Sequence, residues 1–192
     1  MFHYKDKLKE LSVELKGDTY TIEYIDEKVV VEINTIDIHL SQYTKSHAGI
    51  HKPKKRAVTA HHIVVGKANL KRDVYHFTKP GGLLPTLRCG LTVHKGANTW
   101  SSTPHPFEEN PEPGFEEAFL YLLNDGIFIR STAIQLGRGM WYDGEFAFTQ
   151  WQVHNRDISA IPMGYHPVVG EPGVKVAYIW AYLAKKDEWE KI

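Results

Sequence analysis

The polar and apolar positions alternate over short distances. In Thr19-Tyr20-Thr21-Ile22-Glu23-Tyr24-Ile25, Tyr20, Ile22 and Tyr24 point one way and Thr19, Thr21 and Glu23 the other, as a half-buried strand requires. Asp26-Glu27-Lys28 reads as a turn, and Val29 to Ile33 returns as the partner strand. Met1 to Leu15 is compatible with a short helix, through Leu8, Leu11 and Leu15, or with a first strand. From Ala60 onward β-like runs recur: His61 to Val65, Asp73 to Phe77, Leu87 to His94, Phe115 to Leu123, Gly126 to Thr132, Phe146 to Val153, Asp157 to Ile161 and Val174 to Leu183. Turn chemistry separates them: Lys79-Pro80-Gly81-Gly82, Lys95-Gly96-Ala97-Asn98, Asn110 to Gly114, Gly137-Arg138-Gly139 and Glu171-Pro172-Gly173. Asn124-Asp125-Gly126 is the sharpest hairpin signal. Lys185 to Ile192 reads as a short terminal helix. The prediction is all-β: a sandwich or barrel of the jelly-roll type.

Composition agrees. Of 192 residues, 42% are hydrophobic and 24% charged, which excludes a disordered or collagen-like chain. Fifteen Gly, ten Pro and 12% aromatic residues favour strands and tight turns over long helices. Lys plus Arg and Asp plus Glu both number 23, so any nucleic-acid surface would need local clustering. The basic stretch Thr44 to Arg56 has no interleaved aromatic residue on which bases could stack, and reads as a solvated loop. It closes an N-terminal β-rich region, residues 1–55, ahead of a main domain, 56–192. No apolar run approaches the ~20 residues of a membrane span. The single Cys89 forbids an internal disulfide. The expectation is a cytoplasmic protein with neither a nucleic-acid nor a membrane partner.

Eleven histidines supply the candidate chemistry. His61 and His62 are adjacent on a strand and face opposite sides, so both cannot hold one ion; they read as an ordinary strand edge. His94 reads as a half-exposed sheet residue. His105 and His166 are each flanked by proline, and Glu116-Glu117 heads an aromatic-rich run. A carboxylate there is costly to bury unless it is paired or metal-bound. Imidazoles and carboxylates from separated strands that meet inside such a fold make a mixed N/O site for Zn, Mn, Fe or Ni. Basic residues near the mouth, Arg88, Lys175 or Arg156, suit an acidic ligand, although solvated strand charge explains each of them too. Tyr165, Trp100 and Trp151 suit a stacking wall or, for the tryptophans, the core.

Gly96-x-x-x-Trp100-Ser-Ser-x-Pro-His105, Phe115-Glu-Glu-Ala-Phe-Leu-Tyr121 and Ile161-Pro-Met-Gly-Tyr-His-Pro-Val168 together resemble the cupin family of 5-deoxyglucuronate isomerase and 5-keto-4-deoxyuronate isomerase. The resemblance covers roughly Arg56 to Trp189 and implies a cupin jelly roll, read here with its N-terminal extension as a reduced bicupin. It also implies aldose–ketose isomerisation of a deoxy-uronic acid sugar and a divalent metal held by two His, a Glu and a later His. Glu117 matches the family's Glu and His166 its last His, while His105 matches the first His after a one-residue deletion. Phe107 or Glu108 stands where the second His belongs, so the implied set is His105, Glu108, Glu117 and His166. Glu116 or Glu108 is the expected proton-transfer base. Tyr165, Arg88, Lys175 and Trp100 are the expected substrate contacts. The alternative is a non-catalytic cupin binding a sugar or small acid at a degenerate metal site; a different cupin chemistry, such as epimerase, lyase or dioxygenase, also fits the fold. A homodimer pairing through sheet edges is expected.

Overall fold

The computed structural model describes residues 4–35, 37–42, 45–46, 49–50, 54–96, 99–100, 116–124 and 132–184. A single 3-10 turn, Tyr4–Lys7, precedes a first strand that contains Leu15; Leu8 and Leu11 lie in no helix, so the strand reading of the N-terminus holds and the helix through Leu8, Leu11 and Leu15 does not. A five-stranded antiparallel sheet follows, in the order β1 (Ser12–Lys16), β2 (Thr19–Tyr24), β3 (Glu27–Glu32), β4 (Asp37–Gln42) and β7 (Lys54–Ala57). Between its last two strands, the two-residue strands β5 (Lys45–Ser46) and β6 (Gly49–Ile50) pair with each other. The segment expected to be a solvated loop therefore supplies an edge strand, and the N-terminal sheet runs two residues past the expected boundary at 55.

The remaining strands form two further layers. They are β8 (His61–Val65), β9 (Arg72–His76), β10 (Leu87–His94), β11 (Glu117–Asn124), β12 (Thr132–Met140), β13 (Phe146–His154), β14 (Ile158–Ile161), β15 (Met163–Tyr165), β16 (Val168–Gly170) and β17 (Lys175–Leu183). A six-stranded central sheet has the order β14-β11-β17-β10-β9-β8, and an outer sheet is β13-β12-β15 with β16 also on β12. The fold is almost all-β and of cupin type, and its sheets are stacked as a sandwich rather than closed into a barrel.

Residues of opposite parity on the central strands enter different cores. Leu87, Cys89 and Leu91 of β10, Ala118 and Leu120 of β11, and Ile179, Ala181 and Leu183 of β17 join Tyr20, Ile22, Val29 and Val31 of the N-terminal sheet. Phe119, Tyr121 and Leu123 of β11 and Val176, Tyr178 and Trp180 of β17 join Trp151 and Val153 of the outer layer. Burial on both faces explains why β17 reads as a near-continuous apolar run, while β10 buries three polar side chains, Arg88, Thr92 and His94, on the face toward the outer layer. β13 keeps a wet face and alternates, with Phe146, Phe148 and Gln150 outside and Ala147, Trp151 and Val153 inside.

Gly137-Arg138-Gly139 is a correction: it lies within β12 and is not a turn. These glycines permit close approach. A Cβ on Gly139 would sit 1.5 Å from the Met163 carbonyl oxygen, and one on Gly137 would sit 2.7 Å from the Pro162 ring. The hairpin expected at Asn124-Asp125-Gly126 and the terminal helix at 185–192 fall largely or wholly outside the described residues. The flanking strands β11 and β12 belong to different sheets.

Two carboxylates tie the N-terminal layer to the central sheet. Glu27 accepts N–H bonds from Thr86 (2.9 Å) and Leu87 (2.6 Å). Glu116 Oε1 accepts from Lys9 (2.8 Å), Glu10 (3.1 Å) and Leu11 (3.0 Å). Both glutamates are buried, so loss of either leaves backbone donors without partners. Glu27→Ala and Glu116→Ala should each lower the urea-unfolding free energy by about 1–3 kcal/mol. Lys16→Ala, which breaks only the exposed pair with Glu14, should cost under about 0.5 kcal/mol.

Candidate active site

Strand register sets the site. On the face of the central sheet toward the outer layer, Tyr182 of β17 lies opposite Arg88 on one side and Glu117 on the other. Arg88, Tyr182 and Glu117 thus form one row across three strands. Arg88 is 2% exposed, and its Nη1 donates to the Leu84 carbonyl at 3.0 Å. His166 enters from the outer layer, between β15 and β16, and its Nε2 lies 3.4 Å from Glu117 Oε2, both side chains buried. That separation exceeds the about 2.7–2.9 Å of a charged hydrogen bond. It matches two ligands on one tetrahedral ion with bonds of about 2.1 Å. The donor set, a neutral-capable imidazole and a carboxylate, suits a borderline divalent cation.

His166 is held from behind. Gln135, fully buried on β12, donates through Nε2 to the His166 carbonyl (2.6 Å) and the Pro167 carbonyl (3.2 Å). Its Oε1 accepts from the Tyr121 hydroxyl at 2.9 Å, tying the turn to β11. The Phe119 ring meets the His166 imidazole edge-on at 5.9 Å and stacks on Tyr178 at 4.3 Å. Gln135 and Tyr121 are positioning residues that the sequence reading missed. A lone amide inside Ala133-Ile134-Gln135-Leu136 was the available signal.

The other expected residues separate. Glu116 serves the opposite face, with its oxygens taken by the amides of residues 9–11, so its position does not fit the proton-transfer role expected of it. Lys175 is exposed and pairs in register with Asn124, seven residues along β17 from Tyr182. Arg156 is exposed and binds Asp18 and the Gly17 carbonyl, linking layers. Tyr165 is half-buried opposite Arg138. Trp100 is half-buried, bridged to Val169, and its backbone N–H donates to the Asn69 carbonyl. Trp151 is a core residue whose Nε1 donates to Ser159 Oγ at 2.9 Å. His105 and Glu108 lie outside the described residues. Among the described residues no group of three His, Cys, Asp or Glu is arranged to hold a metal.

The fold and this pair define a cupin with an imidazole–carboxylate centre inside a β-sandwich. The family model of the KduI/IolB family matches residues 24–192, and the chain belongs to that family, whose members are sugar isomerases. The match begins well before Arg56, so β3, β4 and β7 of the N-terminal sheet fall within it, while β1 and nearly all of β2 precede it. An IolB-like protein from Salmonella typhimurium LT2 superposes with a TM-score of 0.56 at 15% identity, covering 94% of this chain and 74% of that one. The cupin domain of Schizosaccharomyces pombe Cnp3 is similar at a TM-score of 0.43 and 12% identity, covering 78% and 84%. No curated protein matches the chain in sequence. Among the described residues no helix is long and apolar enough to cross a membrane.

His94 is a second correction, since it is 4% exposed rather than half-exposed. Burial pushes its pKa from 6.5 down to about 4, against a smaller opposing effect of Thr99. Above pH 6.5 the residue is neutral in both folded and unfolded chains. As pH falls from 6.5 to about 4, the unfolded chain binds the proton and the folded one does not, so stability is lost across that window. The loss from this residue should be on the order of 3 kcal/mol. Denaturant titrations across that range should show a smaller decline in His94→Gln than in the parent protein.

Proposed function

We propose that the chain is a metal-dependent isomerase of a deoxy-uronic acid sugar that interconverts its aldose and ketose forms. The observation that carries this reading is the buried Glu117–His166 pair at 3.4 Å, inside a fold whose family consists of sugar isomerases. In the proposal Glu117 and His166 hold the cation, and His105 and Glu108 complete its ligand set. The cation, when bound, supplies Lewis acidity toward a carbonyl and its neighbouring hydroxyl.

The chain's own residues do the rest. Arg88, two strands from Glu117 in the same row, is a buried guanidinium suited to the substrate carboxylate. Burial of the site excludes bulk water and strengthens each polar contact. Gln135 fixes the turn that presents His166, so ligand geometry is set before substrate arrives. Glu108, through a carboxylate oxygen that its ligand role leaves free, is the proposed proton carrier between the two carbons, since Glu116 is committed to the N-terminal backbone.

Purified protein should carry about one divalent ion per chain and lose it in His166→Ala and Glu117→Gln, as read by elemental analysis. With the ion present, 5-deoxyglucuronate should isomerise, and both variants should fall by at least about 10²-fold in kcat. A protein that binds the sugar acid without turnover, metal-loaded or not, would replace this reading with the binding-only one.

A further inference from the structure

The face that carries Glu117 and Arg88 has a second polar pair at its other end. His94 of β10 and Arg72 of β9 are direct partners in register, so their side chains leave the same face from adjacent strands. Both are buried, at 4% and 8% exposure. Val93, next to His94, lies opposite Ala177, five residues along β17 from Tyr182, or about 17 Å. The stacked Phe119 and Tyr178 rings stand between the two ends. The pair is therefore separate from the Glu117–His166 centre.

Its hydrogen bonding is incomplete in a specific way. The Thr99 hydroxyl contacts the Gly96 carbonyl at 2.9 Å and His94 Nδ1 at 2.8 Å. With one hydrogen to give, that hydroxyl donates to the carbonyl and accepts from Nδ1–H. The tautomer is then fixed, and Nε2 is a bare acceptor; it is buried and has no hydrogen-bond partner. Arg72 donates from Nη1 to the Leu70 carbonyl at 3.1 Å, and no carboxylate opposes it among the described residues. Among the described residues, a buried cation without a counter-charge thus stands beside a buried acceptor without a donor, which is costly on both counts. One molecule that brings a negative charge and an O–H cancels both. A single guanidinium matches a single negative charge, because neighbouring Lys95 is already paired with Asp73. This favours a carboxylate over a phosphate dianion.

We propose that Arg72 and His94 form a subsite for a small 2-hydroxy carboxylate, with the carboxylate on the guanidinium and the hydroxyl donating to His94 Nε2. It requires neither the metal nor the isomerase activity. Glycolate is the probe and acetate its hydroxyl-free control. By calorimetry on the whole protein, glycolate should bind roughly tenfold more tightly than acetate, and phosphate no more tightly than acetate. Arg72→Met should abolish glycolate binding, and His94→Phe should remove the preference over acetate. Glu117→Gln should leave glycolate binding unchanged, which separates failure of this subsite from failure of the isomerase reading. The idea is overturned if unmodified protein binds no glycolate up to about 50 mM, prefers phosphate, or treats glycolate and acetate alike. The comparison on unmodified protein decides the matter even where a variant does not fold.

Discussion

Because β10, β11 and β17 are covered on both faces along most of their length, their residues face one of two buried interfaces, and chain neighbours face opposite ones. The Glu116-Glu117 dipeptide shows the consequence. Glu116 turns to the N-terminal layer and accepts three backbone N–H bonds, while Glu117 turns to the outer layer and meets His166. A one-residue slip of β11 would exchange the two carboxylates and invert its apolar residues. The register is held by eight pairs to β17 and four to β14, so the placement of Glu117 is a property of the sheet rather than of a loop.

The same constraint explains why the N-terminal sheet belongs to the fold. Without it, Leu87, Cys89, Ala118, Ile179 and Ala181 would face water on a sheet whose other side carries the polar centre. Cys89 illustrates the dryness of that interface: burial drives its thiol far above the usual range, which keeps it an inert packing group. The outer layer imposes a second condition. β15 must approach β12 closely enough for Gln135 to reach the His166 carbonyl, and Gly137 and Gly139 leave room for that approach.

Much of this was legible from the chain. Alternation located β2, short β-like runs between turn residues located β3, β8 and β10, and the resemblance of the segments around Glu117 and His166 singled out the two residues that the structure brings together. What stayed hidden depended on partners far away in sequence. Gly137 and Gly139 look like turn residues until Pro162 and Met163 are seen against them. Glu116 looks like a second active-site acid until residues 9–11 are seen on it. His94 looked like a half-exposed sheet residue, and nothing marked Arg72, because neither burial nor cross-strand register is written in local sequence.

X-ray anomalous scattering from crystals grown with a divalent transition metal tests the central claim most directly. The account predicts a peak bonded to both a Glu117 carboxylate oxygen and His166 Nε2 at about 2.0–2.2 Å. A peak elsewhere, or none while the two side chains close into a direct hydrogen bond, would contradict it.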